Sequence, residues 1–318
     1  MVTKNNVEII AIEEHYMDAE IAEALGMKQP PPLAARMADL GEKRLQEMDA
    51  AGVDVQVLSL GAPATQQFDP GTAVRLARGA NDRLAEAVKE NPDRLAGFAA
   101  LPTPDPEGAA DELSRAINEL GFKGAMVHGL TNGEFLDEKK YWPVFKRAQE
   151  LDVPIYIHPA FPDKTVTDRY YGTYAKDFPW ILSAGWGFTV EAATQGVRLV
   201  LSGVFDEYPD LKIIMGHLGE GLPFLLRRMD EAFSRPGNQP VAFRDTFCSH
   251  FYITTSGNFS DPALQCTLTE MGADRVLFAI DYPFVMNEPG VEWIEKVMLS
   301  EEDRAKILNG NAKKLLRL

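Results

Sequence analysis

Eight short apolar runs rich in valine and isoleucine recur along the 318-residue chain and alternate with longer segments of helical periodicity. This alternation is typical of βα units whose parallel strands are buried on both faces of the sheet. Eight strand-then-helix units in a chain of this length predict an α/β fold, the (β/α)8 TIM barrel, with its functional site at the carboxyl ends of the strands. The runs are VEIIAI, VDVQVLSL, LAGFAAL, GAMVH, VPIYIH, LKIIMGH, FYITTS and RVLFAID.

Two features of the sequence bear on alternatives to this interpretation. The segment VRLVLSGVF has the composition of a ninth strand, but periodicity alone does not separate it from the end of a helix that starts near Gly187. We predict a helix that ends near Gly203. A doubly wound open sheet would usually carry a glycine-rich phosphate loop after its first strand, where this chain has EEHY. The barrel is therefore the favoured fold.

The domain organisation follows from the same pattern. We expect one barrel domain over residues 1–318, since no linker divides the strand-helix repeat. Residues 17–37 form an insertion after the first strand that carries a proline triplet, and we predict that it is a lid or substrate loop. Residues 300–318 are predicted to form C-terminal helices.

Composition excludes several classes of protein. A formal net charge of -15 argues against nucleic-acid binding, which requires clustered lysine and arginine. No stretch approaches the roughly 18 apolar residues that would span a bilayer, and no secretory signal is visible at the N-terminus. The two cysteines, Cys248 and Cys266, have no metal-ligand spacing and suggest neither a disulfide framework nor a catalytic thiol. We therefore expect a cytoplasmic protein.

Potential metal ligands terminate five of the predicted strands. On an extended strand, Glu13 and His15 point to one side and Glu14 to the other. Four of the five histidines follow apolar runs, whereas His250 precedes one and should lie at the opposite rim. Because the strand ends of a barrel converge, these side chains are expected to meet. They are Glu13, His15, His128, His158, His217 and Asp281.

The chemistry of this set predicts a metal site. Imidazole and carboxylate ligands together suit Zn²⁺ or Mn²⁺, and the oxygen-rich half of the set favours the harder Mn²⁺; Mg²⁺ is a further candidate. Glu220 follows His217 by three residues and should fall on the first turn of the next helix. There its carboxylate can accept the ring N–H of His217, or it can stabilise the helix by interacting with the helix dipole. One side chain can do both.

Blocks distributed over nearly the whole chain resemble a known family. They include EEH, RRMD, NDRLAE, PDRLAGFAALP, GFKGAMV, LDVPIYIHP, FDEYPDLKIIMGHLGEGLPF, ITTSGNF, GADRVLFAIDYPF and NAKKLLRL. The chain is similar to the metal-dependent amidohydrolase superfamily, within the aromatic-acid decarboxylases related to aminocarboxymuconate-semialdehyde decarboxylase. In that branch it most resembles the γ-resorcylate (2,6-dihydroxybenzoate) and 2,3-dihydroxybenzoate decarboxylases.

The resemblance implies an activity and a set of roles. It implies non-oxidative decarboxylation of a small aromatic carboxylate, an ortho-hydroxybenzoate, with a metal-dependent hydrolase of lactones, esters or amides as the alternative. The metal ligands would be Glu13, His15, His158 and Asp281. Asp281 would also act as the catalytic acid, assisted by His217 and Glu220. Arg228 matches an arginine that reaches the substrate of a neighbouring subunit, which implies a homodimer or homotetramer.

The chain departs from the family pattern at His128, where these decarboxylases usually carry an asparagine near the substrate. Histidine can replace the hydrogen bond but is larger and titratable, so the preferred ring substituents should change. The segment from Phe161 to Phe188 is also divergent. We expect it to line the pocket, with Trp186 and Phe188 in contact with the substrate.

Overall fold

Nine short strands lie parallel in chain order in a computed structural model that describes residues 7–318. The predicted third strand is interrupted at Phe98, so nine strands fill eight positions, and the Phe98 amide still donates to Leu58 O at 2.8 Å. The strands are β1 (Ile10–Tyr16), β2 (Val55–Leu60), β3 (Leu95–Gly97), β4 (Ala99–Ala100), β5 (Ala125–His128), β6 (Ile155–His158), β7 (Ile213–Met215), β8 (Phe251–Thr254) and β9 (Val276–Leu277).

Hydrogen bonds between β1 and the segment after β9 close the sheet into a ring. Ile12 N donates to Phe278 O at 3.2 Å, and Asp281 N donates to Glu13 O at 3.0 Å. His15 N donates to Tyr282 O at 2.6 Å. The last strand thus pairs with the first, which confirms the barrel and excludes the open sheet.

Helices surround the barrel and connect its strands. The segment VRLVLSGVF is helical as predicted, because α9 ends at Leu201 and Gly203 adopts φ 80°. The α-helices are α1 (Ala19–Leu25), α2 (Pro31–Ala38), α3 (Glu42–Ala51), α4 (Pro70–Glu90), α5 (Pro106–Asn118), α6 (Trp142–Leu151), α7 (Lys164–Val166), α8 (Gly172–Ala175), α9 (Gly187–Leu201), α10 (Val204–Glu207), α11 (Leu222–Phe233), α12 (Phe243–His250), α13 (Asp261–Met271), α14 (Asn287–Lys296), α15 (Glu301–Ala305) and α16 (Asn311–Leu316). Three 3₁₀ segments (Lys139–Tyr141, Pro179–Leu182, Ala273–Arg275) and two π-helical segments (Thr167–Tyr171, Lys306–Gly310) complete the list.

Alternation along the strands separates an inner core from an outer one. Residues on the outer faces of the strands pack against the surrounding helices, as in other barrels of this class. The inner core consists of residues on or next to seven of the strands and three residues of α16. Its members are Ile10, Ile12, Val57, Ala96, Phe98, Met126, Tyr156, Ile214, Leu277, Ala279, Ala312, Leu315 and Leu316.

The insertion after β1 is largely helical. It contains α1 and most of α2, and its two ends meet where Met17 N donates to Met37 O at 2.8 Å. The Arg83 guanidinium on α4 binds Asp18 at 2.7 Å, which ties the start of α1 to the barrel wall. Whether this segment acts as a lid stays a prediction, as does the single-domain organisation. Within residues 7–318, no helix combines the length and apolarity needed to cross a bilayer.

Candidate metal centre and active site

An irregularity in β1 directs the first pair of predicted ligands into the barrel. Ile10 and Ile12 belong to the inner core, so strict alternation would next send Glu14 inward. The register with β2 instead shifts between Ala11 and Glu14, as in a β-bulge. Beyond the shift, Glu13 and His15 face the interior and Glu14 faces outward. The prediction that Glu13 and His15 share a face is confirmed, and the bulge makes that face the inner one.

Four of the predicted ligands converge at the carboxyl ends of the strands. One atom from each of Glu13, His15, His158 and Asp281 can be chosen so that all lie within 4.8 Å of one another. His15 Nε2 lies 3.2 Å from Asp281 Oδ1, and His158 Nε2 lies 3.3 Å from Glu13 Oε1. The family resemblance implied this set as metal ligands, and the structure brings its members together.

The buried atoms at the centre of this group have no protein partner. Glu13 Oε1, His15 Nε2 and Asp281 Oδ1 are all inaccessible to solvent and make no hydrogen bond with the described residues. Burying polar atoms without a partner carries a large free-energy penalty, which a coordinated cation removes. Two imidazole nitrogens and two carboxylates are a donor set that Mn²⁺ and Zn²⁺ both accept. The residues present therefore fit a divalent metal.

Hydrogen bonds at the far sides of the two imidazoles orient them for coordination. His158 Nδ1 lies 2.7 Å from Pro159 O, which requires a proton on Nδ1 and leaves the Nε2 lone pair free. His15 Nδ1 lies 3.1 Å from Ser59 Oγ, a hydroxyl that can accept the proton of the same tautomer. Burial lowers the pKa of His15, which keeps the ring in its neutral, ligating form.

Three hydroxyl groups hold the other oxygen of Glu13. Tyr156 and Ser256 donate to Oε2, and Thr254 donates to the same atom at 3.2 Å. Because Oε2 already accepts these hydrogen bonds, Oε1 is the oxygen that can bind a metal. The sequence reasoning missed these residues, although alternation places Tyr156 on the face of His158.

A short left-handed turn presents His217 and Glu220. Residues 217–221 all have positive φ, including 53° at His217, 55° at Leu218 and 54° at Glu220. Such a run is rare because left-handed backbone is strained for residues with a Cβ. The turn brings Glu220 Oε1 to 2.7 Å from His217 Nδ1. Since α11 begins at Leu222, the prediction that Glu220 falls on its first turn is wrong. The turn, rather than the helix, positions the pair.

The electrostatics of the pair set its protonation state. Burial would lower the pKa of His217, but the carboxylates of Glu220 and Glu13 outweigh it and raise that pKa well above its ordinary value. Burial would raise the pKa of Asp281, yet His15 and His217 hold it below its usual range. His217 Nε2 lies 3.8 Å from Asp281 Oδ2. At neutral pH the metal-free site therefore holds an imidazolium beside a carboxylate.

Replacing Gly221 by Ala is expected to test the left-handed turn. Gly221 has φ 76°, and a Cβ there would meet no atom within 4 Å, so the effect is conformational. We expect a loss of about 1–2 kcal/mol in the free energy of unfolding, measured by urea denaturation. Gly133 is a matched control, with φ 85° and equally open surroundings. Gly133→Ala should cause a similar loss in the free energy of unfolding without changing kcat, whereas Gly221→Ala should also lower kcat. Equal effects of both variants on kcat would contradict a role for the turn.

The remaining predicted site residues lie at different distances from this centre. His128 is buried, with Nδ1 3.1 Å from His158 Nδ1, and burial holds its pKa well below the ordinary value. Phe188 packs edge-on against Phe161, with ring centroids 5.3 Å apart, and Trp186 is exposed. Arg228 is exposed on α11 and makes no ion pair with any described residue. Of these residues, His128 contacts a candidate metal ligand, whereas Arg228 and Trp186 are exposed.

Two further residues near the site were not anticipated in these roles. Phe284, about half exposed, lies with its ring centroid 5.7 Å from that of His15, so an aromatic ring open to solvent stands next to a candidate ligand. Asn258 Nδ2 donates to His217 O at 3.2 Å and so supports the left-handed turn. The sequence block that contains Asn258 resembled the family, but its letters gave no role.

Glu191 on α9 makes the stability of the protein depend on pH. Burial raises its pKa to about 8 from 4.5. A carboxyl with a raised folded-state pKa contributes stability that is fully present below its unfolded pKa and is lost as pH rises through the folded pKa. We therefore expect the stability of Glu191→Gln relative to the wild type to increase progressively between about pH 5 and pH 8. The increase is at most about 1.4 kcal/mol per unit of difference between the folded-state and unfolded-state pKa. A constant stability difference across pH would contradict this.

Comparison with known proteins finds relatives along the whole chain. A γ-resorcylate decarboxylase from Polaromonas sp. (strain JS666) is 42% identical over 325 residues, covering 97% of this chain and 98% of that protein. The crystal structure of a dihydroxybenzoic acid decarboxylase from Polaromonas sp. JS666, with bound manganese and the inhibitor 2-nitroresorcinol, has a TM-score of 0.91 at 42% identity. It covers 98% of this chain and 97% of its own.

A third relative differs in its substrate. The 5-carboxyvanillate decarboxylase from Novosphingobium aromaticivorans DSM 12444, solved with manganese and 4-hydroxy-3-methoxy-5-nitrobenzoic acid, has a TM-score of 0.91 at 32% identity. The alignment covers 98% of this chain and 97% of that one. In addition, the profile described as Amidohydrolase matches residues 15–318. With this match and full-length relatives well above 30% identity, the chain belongs to the amidohydrolase family.

Proposed function

We propose that this protein is a metal-dependent decarboxylase that releases CO₂ from an ortho-hydroxybenzoate without a redox cofactor. The observation that carries the proposal is the cluster of unpartnered ligand atoms on Glu13, His15 and Asp281 beside the His217–Glu220 pair. Relatives named as γ-resorcylate and 5-carboxyvanillate decarboxylases support the same chemistry. Manganese, which two of their structures contain, is the metal we expect, with Zn²⁺ and Mg²⁺ as the alternatives.

The residues that would hold the metal are Glu13, His15, His158 and Asp281. When bound, a divalent cation supplies positive charge that attracts the carboxylate and the neighbouring phenolate oxygen of the substrate and restrains the ring. Hydrogen bonds already orient Glu13, His15 and His158, so little reorganisation is needed to complete the site.

The proton needed for the reaction comes from the His217–Asp281 pair. His217, held protonated by Glu220, gives its Nε2 proton to Asp281 when the anionic substrate enters. Asp281 then protonates the ring carbon that bears the carboxylate, the bond between that carbon and the carboxylate breaks, and CO₂ leaves as the ring regains aromaticity. Protonating the ring first avoids an aryl carbanion. His217 recovers its proton from solvent, so one proton is consumed for each CO₂ released.

Substrate recognition is proposed to involve residues around this centre. His128 lies closest, and its ring is neutral, so it can hydrogen bond to a ring substituent without adding charge. Phe188 and Trp186 supply apolar surface, and Arg228 supplies positive charge to a neighbouring subunit's substrate. We favour dihydroxybenzoates over 5-carboxyvanillate, because identity is 42% to the relative named for the former and 32% to that named for the latter.

A homo-oligomer, dimer or tetramer, is part of the proposal, as is a cytoplasmic location. Large aromatic side chains are exposed on the segment between β6 and α9 and on α11, including Phe178 (65%), Trp180 (72%) and Phe224 (80%). Exposed apolar patches of this kind commonly mark protein interfaces. Arg228 lies on the same helix as Phe224, so association through that face would bring it towards another protomer.

A substrate panel tests the proposal. The manganese-loaded protein is assayed for kcat/KM on 2,6-dihydroxybenzoate, 2,3-dihydroxybenzoate and 5-carboxyvanillate, with a lactone and an ester as controls. We expect CO₂ release from at least one acid, with a dihydroxybenzoate preferred. Hydrolysis of the lactone or ester with no CO₂ from any acid would overturn the proposal in favour of a hydrolase.

A further inference from the structure

The second acid of the EEH motif faces away from the metal centre and has no role in the chemistry above. Glu14 is completely buried at the junction between β1 and the segment after β9. Its Oε1 accepts a hydrogen bond from Ile280 N at 3.0 Å, and its Oε2 accepts one from Tyr282 N at 3.1 Å. The carboxylate therefore bridges the two peptide groups that flank Asp281.

Asp281 lies between these donors in a strained backbone conformation. Its φ is 74°, in the left-handed region that residues with a Cβ rarely adopt. In this conformation neighbouring N–H groups converge into a concavity that binds an anion. The Asp281 amide itself donates to Glu13 O at 3.0 Å. Adjacent residues of β1 thus hold three consecutive amides of the segment that carries Asp281.

We propose that Glu14 is a positioning residue that holds Asp281 in its left-handed conformation and so fixes the acid against the metal ligands. This inference rests on the proposed function only for its effect on turnover. The conformation keeps Asp281 Oδ1 3.2 Å from His15 Nε2 and Oδ2 3.8 Å from His217 Nε2. Without Glu14 the backbone is free to relax to a negative φ, which would turn the Asp281 carboxylate out of the cluster.

The surroundings of Glu14 also hold its side chain in place, because each of its two oxygens accepts one backbone N–H. The guanidinium of Arg44, which is buried as well, lies nearby. Arg44 has other partners, since it donates to His15 O at 2.6 Å and to Gln56 Oε1 at 3.0 Å. A neutral residue at position 14 would therefore leave Arg44 hydrogen bonded, so the fold should survive the substitution.

The test compares Glu14→Gln with Glu112→Gln. Glu112 is a matched control because its carboxylate is also buried and multiply hydrogen bonded, but it binds Arg115 and Asn81 on the outer helices. Mn²⁺ affinity is measured by titration calorimetry, and kcat and KM are measured on the best substrate of the panel. For Glu14→Gln we expect Mn²⁺ affinity and kcat to fall about 10- to 100-fold, with KM changed much less. For Glu112→Gln we expect both to match the wild type, even if its melting temperature falls.

Normal Mn²⁺ affinity and kcat in folded Glu14→Gln would overturn the inference and leave Glu14 a structural residue. If Glu14→Gln does not fold, Glu14→Asp provides the test, because it keeps the carboxyl group but is too short to bridge both amides. We expect that variant to lose Mn²⁺ affinity, and an affinity equal to the wild type would contradict the inference. Since Mn²⁺ binding needs no substrate, a wild type without decarboxylase activity would leave this result interpretable.

Discussion

Replacing Asp281 by Asn is expected to reduce kcat for CO₂ release by at least about 10³-fold, because general acid catalysis alone is typically worth 10² to 10⁴ and the substitution also removes a metal ligand. Asparagine has the same shape, so the fold should be retained. It cannot carry the proton that Asp281 delivers to the ring. The measurement is single-turnover CO₂ release, with Mn²⁺ raised until the variant is saturated.

Saturation with metal separates the two roles of Asp281. If activity returns once Mn²⁺ is saturating, Asp281 is a ligand but not the acid, and the proposed proton path is wrong. Glu220→Gln is the companion variant, because it removes the negative charge 2.7 Å from His217 Nδ1 but touches no metal ligand. We expect it to lower kcat, and to shift the fall of kcat at alkaline pH to lower pH, as the His217 pKa loses a main cause of its rise.

Removing the metal with a chelator is expected to abolish activity and to destabilise the protein. Without a cation, the carboxylates of Glu13 and Asp281 share a buried site, and their unpartnered oxygens lose their compensation. A ligand at 100 times its Kd stabilises the native state by about 2.7 kcal/mol, so melting should occur at lower temperature in the chelated protein. Activity and thermal stability are measured before chelation, after it, and after titration with Mn²⁺.

Readdition of metal provides the control for this experiment. Activity and thermal stability should recover together, with one equivalent of Mn²⁺ per chain. Recovery of stability without activity would indicate a structural metal. Full activity in protein that retains no metal would contradict the assignment of the cluster. Zn²⁺ and Mg²⁺ added in parallel would rank the three candidate ions.

The fold was accessible from the sequence because its signals are local. Apolar runs ending in polar residues at VPIYIH and LKIIMGH are sufficient to mark strands of a parallel barrel, and convergence of strand ends then follows from topology. Family resemblance supplied the metal ligands and the decarboxylase activity. The comparisons confirm the family, and relatives named as decarboxylases support the proposed activity. The structure brings the four candidate ligands together.

The details that shape the site were not accessible because they depend on backbone geometry. No propensity predicts a bulge between Ala11 and Glu14, although it decides which acid of EEH faces the barrel interior. Likewise, the sequence predicts Glu220 to be an acidic residue in the first turn of a helix, and only the tertiary structure shows the left-handed turn. The bridging contact of Glu14 joins residues more than 260 positions apart. Arg228 illustrates another limit, since its proposed role depends on a second protomer.

Release of labelled CO₂ tests the central claim most directly. The manganese-loaded protein is incubated with 2,6-dihydroxybenzoate carrying ¹³C in its carboxyl group, and the reaction is followed by ¹³C NMR, with the chelated protein as control. Decarboxylation through this site predicts ¹³CO₂ and its hydration product bicarbonate, with resorcinol formed in equal amount, only when metal is present. An intact substrate in protein that holds one Mn²⁺ per chain would contradict the preferred substrate, and the same result for every ortho-hydroxybenzoate in the panel would contradict the function itself.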